Sequence, residues 1–293
     1  MSLIAINQLR LNNCLIDESI KLAYSFDFAI KLPFDTNIYA TFSQQSEEWL
    51  VFVPSHLPVR PFIQATIYCD SEFGDNRNVT DYAELQHIRN VKNNKQLPMI
   101  GGGNMLLKIW DYIAKITKIK MTQVTDMSHL SIKIHLPDEI RQHKDKEHEQ
   151  VSLKLLSMIT NHHYQTWYEK NGYFIFNETN RNKNLQNREL FFNLPCEVLL
   201  YPIKIGLCFY YKRLVDHDVC YYLLPSLIEL YVDCYCHLNL KIKDYLLYLW
   251  SHNKWQYSVL EKIILQSNEK TIHQSISIIH NAEDYLIKIH SDV

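Results

Sequence analysis

Glycine is scarce in this chain, with six residues in 293. Four of the six fall in one passage, as Gly101, Gly102, Gly103 and Gly172. Glycine permits backbone conformations and close approaches that other residues resist, so it often stands where the backbone itself meets a geometric demand. The passage from 101 to 172 is therefore the first place to search for a function.

An excess of either charge is also missing. The chain has 30 basic and 32 acidic residues and a formal net charge of −2. A nucleic-acid-binding surface normally shows as a basic excess or a basic stripe. The charge balance therefore disfavours a nucleic-acid partner.

Long apolar runs are missing as well. The two most apolar regions are 198–211, which contains Lys204, and 220–236, which contains Pro225, Glu229 and Asp233. Neither reaches the roughly 18 uninterrupted apolar residues of a membrane-spanning helix. We expect no integral membrane span.

The amino terminus lacks the basic-then-apolar order of a secretory signal, and the seven cysteines are an odd, scattered set. Both features are typical of a reducing compartment. We therefore expect a cytoplasmic protein. The abundance of Asn, Lys, Ile and Tyr suggests an AT-rich genome, which leaves open a viral or effector protein in a host cytoplasm.

What is present is the composition of a folded globular chain, with 47% hydrophobic and 21% charged residues. The local patterns predict an α+β domain over residues 1–185 and a mainly helical region over 186–293. The predicted strands are 37–42, 49–54, 62–69, 81–91, 120–126 and 173–176. The predicted helices of the first domain are a weak one over 1–24, one from Gly103, and one from 151 to Gly172.

Three segments between and after these elements carry predictions of their own. The segment 70–80 predicts a loop, 138–150 a solvated helix face or an insertion, and 177–187 a linker or long loop. From about 219 onward, three or four helical patterns follow. The last contains the apolar positions Ile272, Ile276, Ile279, Leu286 and Ile289.

The glycine run opens an amphipathic helix, and this arrangement suits a pyrophosphate. Backbone N–H groups approach an anion closely there, and the helix N-terminus adds about half a positive charge. Asn104 and Met105 follow Gly103, so the Gly-Lys-Ser/Thr of a P-loop is missing. Leu106 stands where the third glycine of a dinucleotide-binding fingerprint is required.

Two phrases in this passage resemble the GNAT superfamily of N-acetyltransferases. Gly101, Gly103 and the pair Leu106-Leu107 resemble the loop and helix that hold the coenzyme A pyrophosphate in that family. The string from Trp167 to Tyr173 resembles the aromatic-Tyr-Glu-Lys-x-Gly-aromatic phrase that ends the following helix. A softer match is Asp126-x-Ser128, which is similar to a phrase in divergent members.

The resemblance implies a GNAT-like sheet, mixed but mostly antiparallel and flanked by helices, and acetyl-CoA as cosubstrate without a metal. It implies that Tyr168 protonates the departing thiolate and that the strand before the glycines carries a general base, Glu84 in preference to His87. Backbone N–H groups of about 91–99 would bind the oxyanion. The residues implied to bind the coenzyme are Gly101, Gly102, Gly103, Asn104 and Met105.

The predicted function is thus acetyl-CoA-dependent transfer of an acetyl group to an amine of a small molecule or a protein. The alternative is a catalytically inactive adaptor of the same fold that uses its C-terminal helices as a partner surface. Pro98 favours the alternative, because the family usually has Arg or Gln at that position.

Two further groups of side chains are assigned structural roles. Cys234, Cys236 and His237 lack zinc-knuckle spacing and predict a buried helix face. His162 and His163 are adjacent on the predicted 151–171 helix, so they point about 100° apart and are structural or substrate-facing.

Overall fold

The computed structural model describes residues 4–6, 25–31, 37–45, 48–53, 62–68, 72–73, 77–78, 82–88, 103–117, 119–126, 128–134, 148–215, 223–266 and 285–290. The chain forms two compact units. One, here the sheet unit, comprises Met1–Thr125, Asn171–Phe174 and Tyr285–Val293. The other, here the helical unit, comprises Asp126–Lys170 and Ile175–Asp284.

The sheet unit is built on one nine-stranded mixed sheet in the order β1-β2-β3-β4-β5-β8-β9-β13-β12. Its strands are β1 (Ile4–Ile6), β2 (Ser25–Lys31), β3 (Asn37–Gln45), β4 (Glu48–Val53), β5 (Ile63–Tyr68), β8 (Tyr82–Ile88), β9 (Met121–Val124), β12 (Phe174–Ile175) and β13 (Leu286–Ile289). A separate small hairpin pairs β6 (Glu72–Phe73) with β7 (Arg77–Asn78).

The sheet changes from antiparallel to parallel at β8. The pairs from β1 to β8 are antiparallel, whereas β8 and β9 are parallel. A parallel pair requires a crossover connection, and helix α1 (Gly103–Ile116) lies between these two strands in the chain. β13 then pairs antiparallel with β9.

Helix α1 covers one face of the sheet. Most of its apolar side chains are buried, and Trp110 Nε1 donates a hydrogen bond to Thr122 Oγ1 of β9 at 3.1 Å. Residues i and i+2 of a strand share a face. Ala83 and Leu85 of β8 are therefore on the same face as Thr122 and are buried there, and Tyr82, Glu84 and Gln86 are on the opposite face.

The helical unit contains one hairpin, β10 (His129–Lys133) with β11 (His148–Ser152), and six helices. In the described chain these helices are α2 (Leu153–Ile159), α3 (Glu178–Asn193), α4 (Glu197–Val215), α5 (Leu223–Cys236), α6 (Ile242–His252) and α7 (Lys254–Gln266). One apolar core joins the hairpin to all six, with fully buried members such as Leu155, Phe191, Leu199, Leu230 and Tyr245.

The α+β class, the mixed sheet and the mainly helical C-terminal part are confirmed. The predicted strands near 37, 49, 62, 81, 120 and 173 and the helix from Gly103 are present. Between 1 and 24, where a weak helix was predicted, the structure describes only the strand β1. Residues 126–170 belong to the helical unit, whereas the sequence pattern assigned them to the first domain. The predicted domain boundaries stay a prediction.

Four predictions of local structure are wrong. The helix predicted over 151–171 ends at Ile159, where Asn161 closes a loop by bonding to backbone groups on both sides. The predicted linker at 177 is helix α3, whose N-cap Asn177 accepts from the Asn180 N–H at 3.1 Å. The predicted last helix ends instead as strand β13, and the loop predicted at 70–80 contains the β6–β7 hairpin.

Candidate functional site

The N-terminus of α1 is the predicted pyrophosphate site. Gly101 and Gly102 lie outside the described residues, as do 91–99, and α1 begins at Gly103. Leu106 and Leu107 are 0% and 1% exposed, so the Leu-Leu pair anchors the first turn of α1 in the sheet unit's core. Asn104 is exposed, and Met105 is half-buried.

The end of the second GNAT-like phrase lies beside this helix, within the sheet unit. Asn171 Nδ2 donates to Asn104 Oδ1 at 3.4 Å. Gly172 has a φ of +87°, in the left-handed region where glycine is favoured. The two phrases that carry the resemblance are therefore in contact through Asn104 and Asn171.

Lys288 of β13 ties these elements together. Its Nζ donates to Asp111 Oδ2 of α1 at 2.7 Å and to the Asn171 carbonyl at 2.9 Å. The same Nζ lies 5.4 Å from the centre of the Tyr173 ring. Sequence reasoning missed this residue, because 177 positions separate Lys288 from Asp111.

A second polar network lies beside Lys288. Thr122 Oγ1 accepts from Trp110 and lies 2.8 Å from His290 Nε2. Burial lowers the pKa of His290, while Asp111 raises it and Lys288 lowers it further. A neutral His290 ring that accepts the Thr122 hydroxyl proton satisfies both groups.

Glu84 lies on the sheet face opposite α1, among polar and aromatic side chains. It is half-buried, and Tyr68 Oη donates to its Oε2 at 3.4 Å. In register it lies between Thr66 of β5 and Gln123 of β9. Tyr82 Oη donates to Gln123 Oε1 at 2.7 Å, and the rings of Tyr68 and Tyr82 stack with centroids 5.4 Å apart.

Glutamine side chains extend this face on the carboxyl-terminal side of Glu84. Gln64 Nε2 donates to Gln86 Oε1 at 2.8 Å, and Gln86 Nε2 donates to Thr66 Oγ1 at 2.9 Å. The described members of the face are here called the Glu84 face and comprise Gln64, Thr66, Tyr68, Tyr82, Glu84, Gln86, Met121, Gln123, Ile287 and Ile289. His87 pairs in register with Gln64 at the bulge beside this face.

Tyr168 lies in the helical unit and is 5% exposed. Ser128 Oγ donates to Asp126 Oδ1 at 2.9 Å and also forms a hydrogen bond with the Tyr168 side chain. Burial raises the pKa of Tyr168, the charge of Asp126 raises it further, and the bond with Ser128 lowers it. The softer Asp-x-Ser match thus lies in a hydrogen-bond chain with the predicted acid.

Asp126 is the inner end of that chain. Its Oδ2 is buried and has no hydrogen-bond partner among the described residues. Burial raises the pKa of Asp126, against the opposing effects of Lys154 and of the Ser128 hydrogen bonds. This hydrogen-bonded group favours a protonated Tyr168 phenol at neutral pH.

A short turn fixes the backbone around Tyr168. Glu169 Oε2 accepts from the Thr166 N–H at 2.6 Å, and Thr166 Oγ1 accepts from the Glu169 N–H at 3.2 Å, which is the reciprocal pattern of a capping box. Arg188 Nη1 of α3 then bonds to Glu169 Oε2 at 2.7 Å. The Glu of the GNAT-like phrase therefore has a structural role in this chain.

Glu84 and Gly103 to Met105 lie in the sheet unit, and Tyr168 lies in the helical unit. His87 pairs in register with Gln64 through its backbone. His162 and His163 are exposed in a turn, not on the predicted helix. Among the metal-type group, only Cys234 fits the predicted buried face; Cys236 is exposed and His237 half-buried.

Alternation within the predicted strand 81–91 places Tyr82, Glu84 and Gln86 on one face, so the sequence alone predicts that these three residues lie together. Tyr68 and Gln123 were not, because their places depend on strand register. The register joins β5, β8 and β9, which are far apart in the chain.

Comparison of the chain with family models, with curated proteins and with solved structures finds no match in any of the three. Within the described residues, no three His, Cys, Asp or Glu side chains are grouped so that they could hold a metal ion. None of the helices described is both long and apolar enough to cross a membrane.

Proposed function

We propose that this protein is an acetyl-CoA-dependent N-acetyltransferase with a divergent GNAT-like sheet. The observation that supports the proposal is the β8–α1–β9 crossover. Ligands of parallel α/β arrangements bind outside the carboxyl ends of the strands, where the sheet changes its order. Helix α1 begins after the carboxyl end of β8, which is the strand at which the pairing changes from antiparallel to parallel.

The helix N-terminus at Gly103 supplies the anion-binding element. Its first N–H groups have no partner within the helix and carry the positive end of the helix dipole. Leu106 and Leu107 hold the first turn in the core, and the exposed Asn104 adds a polar side chain at the same end. A coenzyme pyrophosphate is the ligand that this end suits.

Transfer needs a neutral amine, whereas an alkylamine of pKa about 10.4 is almost fully protonated at pH 7. Glu84 takes one proton from the ammonium and passes it to solvent. The amine nitrogen attacks the thioester carbon, the C–S bond breaks, and the second N–H proton is lost as the amide forms. The departing sulfur takes up one proton, a donor role that the resemblance assigns to Tyr168, so one proton is released overall.

Two measurements test the proposal. Calorimetric titration should show binding of acetyl-CoA and of CoA, and no binding up to millimolar concentration would exclude the enzyme and any coenzyme-dependent role. Tyr168→Phe should slow acetyl transfer by about 10² or more with little change in coenzyme affinity. Tyr201→Phe, at an exposed tyrosine of α4, is the matched control and should leave the rate unchanged.

One observation favours the adaptor as the second candidate. Ile228, Val232 and Tyr235 of α5 are 50%, 54% and 62% exposed at helical spacing, and so form an apolar stripe. Exposed apolar patches mark interaction sites. If the protein is an adaptor, Val232→Glu should abolish binding of its partner, whereas Tyr168→Phe should leave that binding intact.

A further inference from the structure

Helices α4 and α5 of the helical unit lie side by side and run in opposite directions. Both contribute to the same apolar core, for example through Leu199 of α4 and Leu230 of α5. Cys234 Sγ, near the end of α5, lies 3.5 Å from the carbonyl oxygen of Cys196, which directly precedes α4. Since the two helices also pack against each other, they are antiparallel.

The sides of α4 and α5 that are turned away from this core carry exposed apolar residues. Tyr201 and Ile205 of α4 are 56% and 40% exposed and one helical turn apart. They accompany the exposed stripe of Ile228, Val232 and Tyr235 on α5. With Cys196 beside Cys234, the rise of about 1.5 Å per residue places Tyr201 level with the turn between Ile228 and Val232. These five exposed apolar residues are here called the α4–α5 face.

The α4–α5 face is large enough for the centre of an interface. A large apolar side chain that is half exposed presents on the order of 100 Å². The five residues then present roughly 500 Å² on one chain, and packing two such faces together buries about 1,000 Å². Specific interfaces begin at about this total area, before any surrounding polar residue is counted.

Two exposed charges on α4 make this surface complementary to itself. Glu197 and Lys204 lie about two turns apart on the same side of α4 as Tyr201. Within the described chain, neither takes part in an ion pair. If α4 of a second copy packs antiparallel across Tyr201, Glu197 of each copy lies opposite Lys204 of the other. The remaining exposed charge described on the two helices is Glu229, to which Gln256 of α7 donates at 3.5 Å.

From this arrangement we infer that the α4–α5 face binds a second copy of this chain about a two-fold axis. Such an axis brings the same patch of both subunits together, so the patch has to be complementary to itself. The apolar residues form the dry centre, and the two pairs of Glu197 with Lys204 lie at the rim and fix the register. The inference goes beyond the proposed function and does not depend on it.

Sedimentation equilibrium of the full chain tests the association. The wild type should reach a mass of twice 34.9 kDa at micromolar concentrations. Val232→Glu should raise the dimer Kd at least about a hundredfold, because it places an unpaired charge at the dry centre. Leu190→Glu makes the same change at an exposed apolar residue of α3 and should leave the Kd unchanged. Urea midpoints of both variants, measured where the chain is monomeric, should equal that of the wild type.

Charge reversal tests the register without changing the apolar centre. Glu197→Lys and Lys204→Glu should each raise the dimer Kd about tenfold or more, because each places two like-charged pairs across the axis. The variant with both changes should return to within about threefold of the wild-type Kd, since the exchanged charges pair again. A loss that came only from damage to α4 would persist in the double variant and would contradict the proposed register.

Two outcomes would overturn the inference. A wild type that stays monomeric up to millimolar concentration would leave the α4–α5 face to a protein of another sequence. A dimer that Val232→Glu and both single charge reversals leave intact would show that the copies associate through a different surface. Calorimetry with acetyl-CoA tests the proposed function separately, so either proposal can fail while the other stands.

Discussion

At the residue scale, Glu261 of α7 is a carboxyl buried in the helical unit. It is 2% exposed, and its Oε1 accepts the Ser152 backbone N–H at 2.8 Å at the start of α2. Burial raises its pKa to about 8, against the opposing effects of the Ser152 bond and Lys262, while Glu149 raises it further. Burial also raises the pKa of Tyr257, with Glu261 contributing.

This shift predicts that the unfolding free energy falls as pH rises. The carboxyl pKa is raised on folding from its ordinary value of 4.5 to about 8, so the folded state holds the proton between these values. Its stabilising contribution is full below about pH 4.5 and is lost as pH rises through about 8. Glu261→Gln should remove this loss, by the order of a few kcal/mol at pH 9.

Urea unfolding at pH 5, 7 and 9 measures the effect. The Glu261→Gln variant should resemble the wild type at pH 5 and exceed it increasingly at pH 7 and 9. Glu189→Gln, at an exposed glutamate, should follow the wild type throughout. Parallel curves for the wild type and Glu261→Gln would show that Glu261 is ionised over the whole range.

At the element scale, α3 is attached to the turn of Tyr168 by one ion pair. Arg188 and Glu169 are 4% and 8% exposed at the side chain, with Nη1 and Oε2 2.7 Å apart. Arg188 also donates to the Tyr164 carbonyl at 3.3 Å, and Tyr164 stacks on Phe192 of α3. Buried pairs are costly to break on one side, because the remaining charge stays buried.

Arg188→Met should therefore destabilise the helical unit by about 3–5 kcal/mol. Most of this loss should be recovered in Arg188→Met with Glu169→Gln, since no unpaired charge then remains. Arg181→Met, in the exposed pair with Glu178 of the same helix, should cost less than about 0.5 kcal/mol. Urea midpoints of the wild type and these three variants measure the effect, and equal losses at Arg188 and Arg181 would contradict it.

The same element shows why sequence patterns predicted strands better than helix limits. The strands of the sheet unit alternate apolar and polar residues, and local alternation is visible over a few positions. Helix α3 is polar on most of its length, so its sequence predicted a linker. The helix is stabilised by its N-cap Asn177 and by the burial of Arg188, Phe191 and Phe192 against residues distant in the chain.

The candidate site divides in the same way. The glycine helix and Tyr168 were predicted from short motifs that are contiguous in the sequence, and Glu84 from its place in the strand before the glycines. The partners that surround them were not found, since Ser128 approaches Tyr168 from 40 residues earlier and Lys288 joins α1 from near the end of the chain. A short motif suggests a candidate residue, and the pairing of distant strands determines which side chains surround it.

At the scale of the whole molecule, strands from both ends of the sequence, β1 and β13, belong to the same sheet. β13 inserts between β9 and β12, with Leu286 to Ile289 paired to Val124 to Met121. It also supplies Lys288 to Asp111 and His290 to Thr122. The sequence predicted a helix at these residues, because the apolar spacing of Leu286 and Ile289 fits either element.

Because β13 is needed on one side of β9, a chain ending at Asp284 should lose the protection of the sheet at that strand. The β9 amides that bond to β13 should exchange with solvent much faster, and Asp111 should become a carboxylate without its Lys288 partner. Hydrogen exchange with mass detection measures this on peptides covering 119–126. A chain ending at His290 keeps the whole strand and should retain native protection. Unchanged exchange in the shorter chain would mean that the β8–β9 pair is stable without β13.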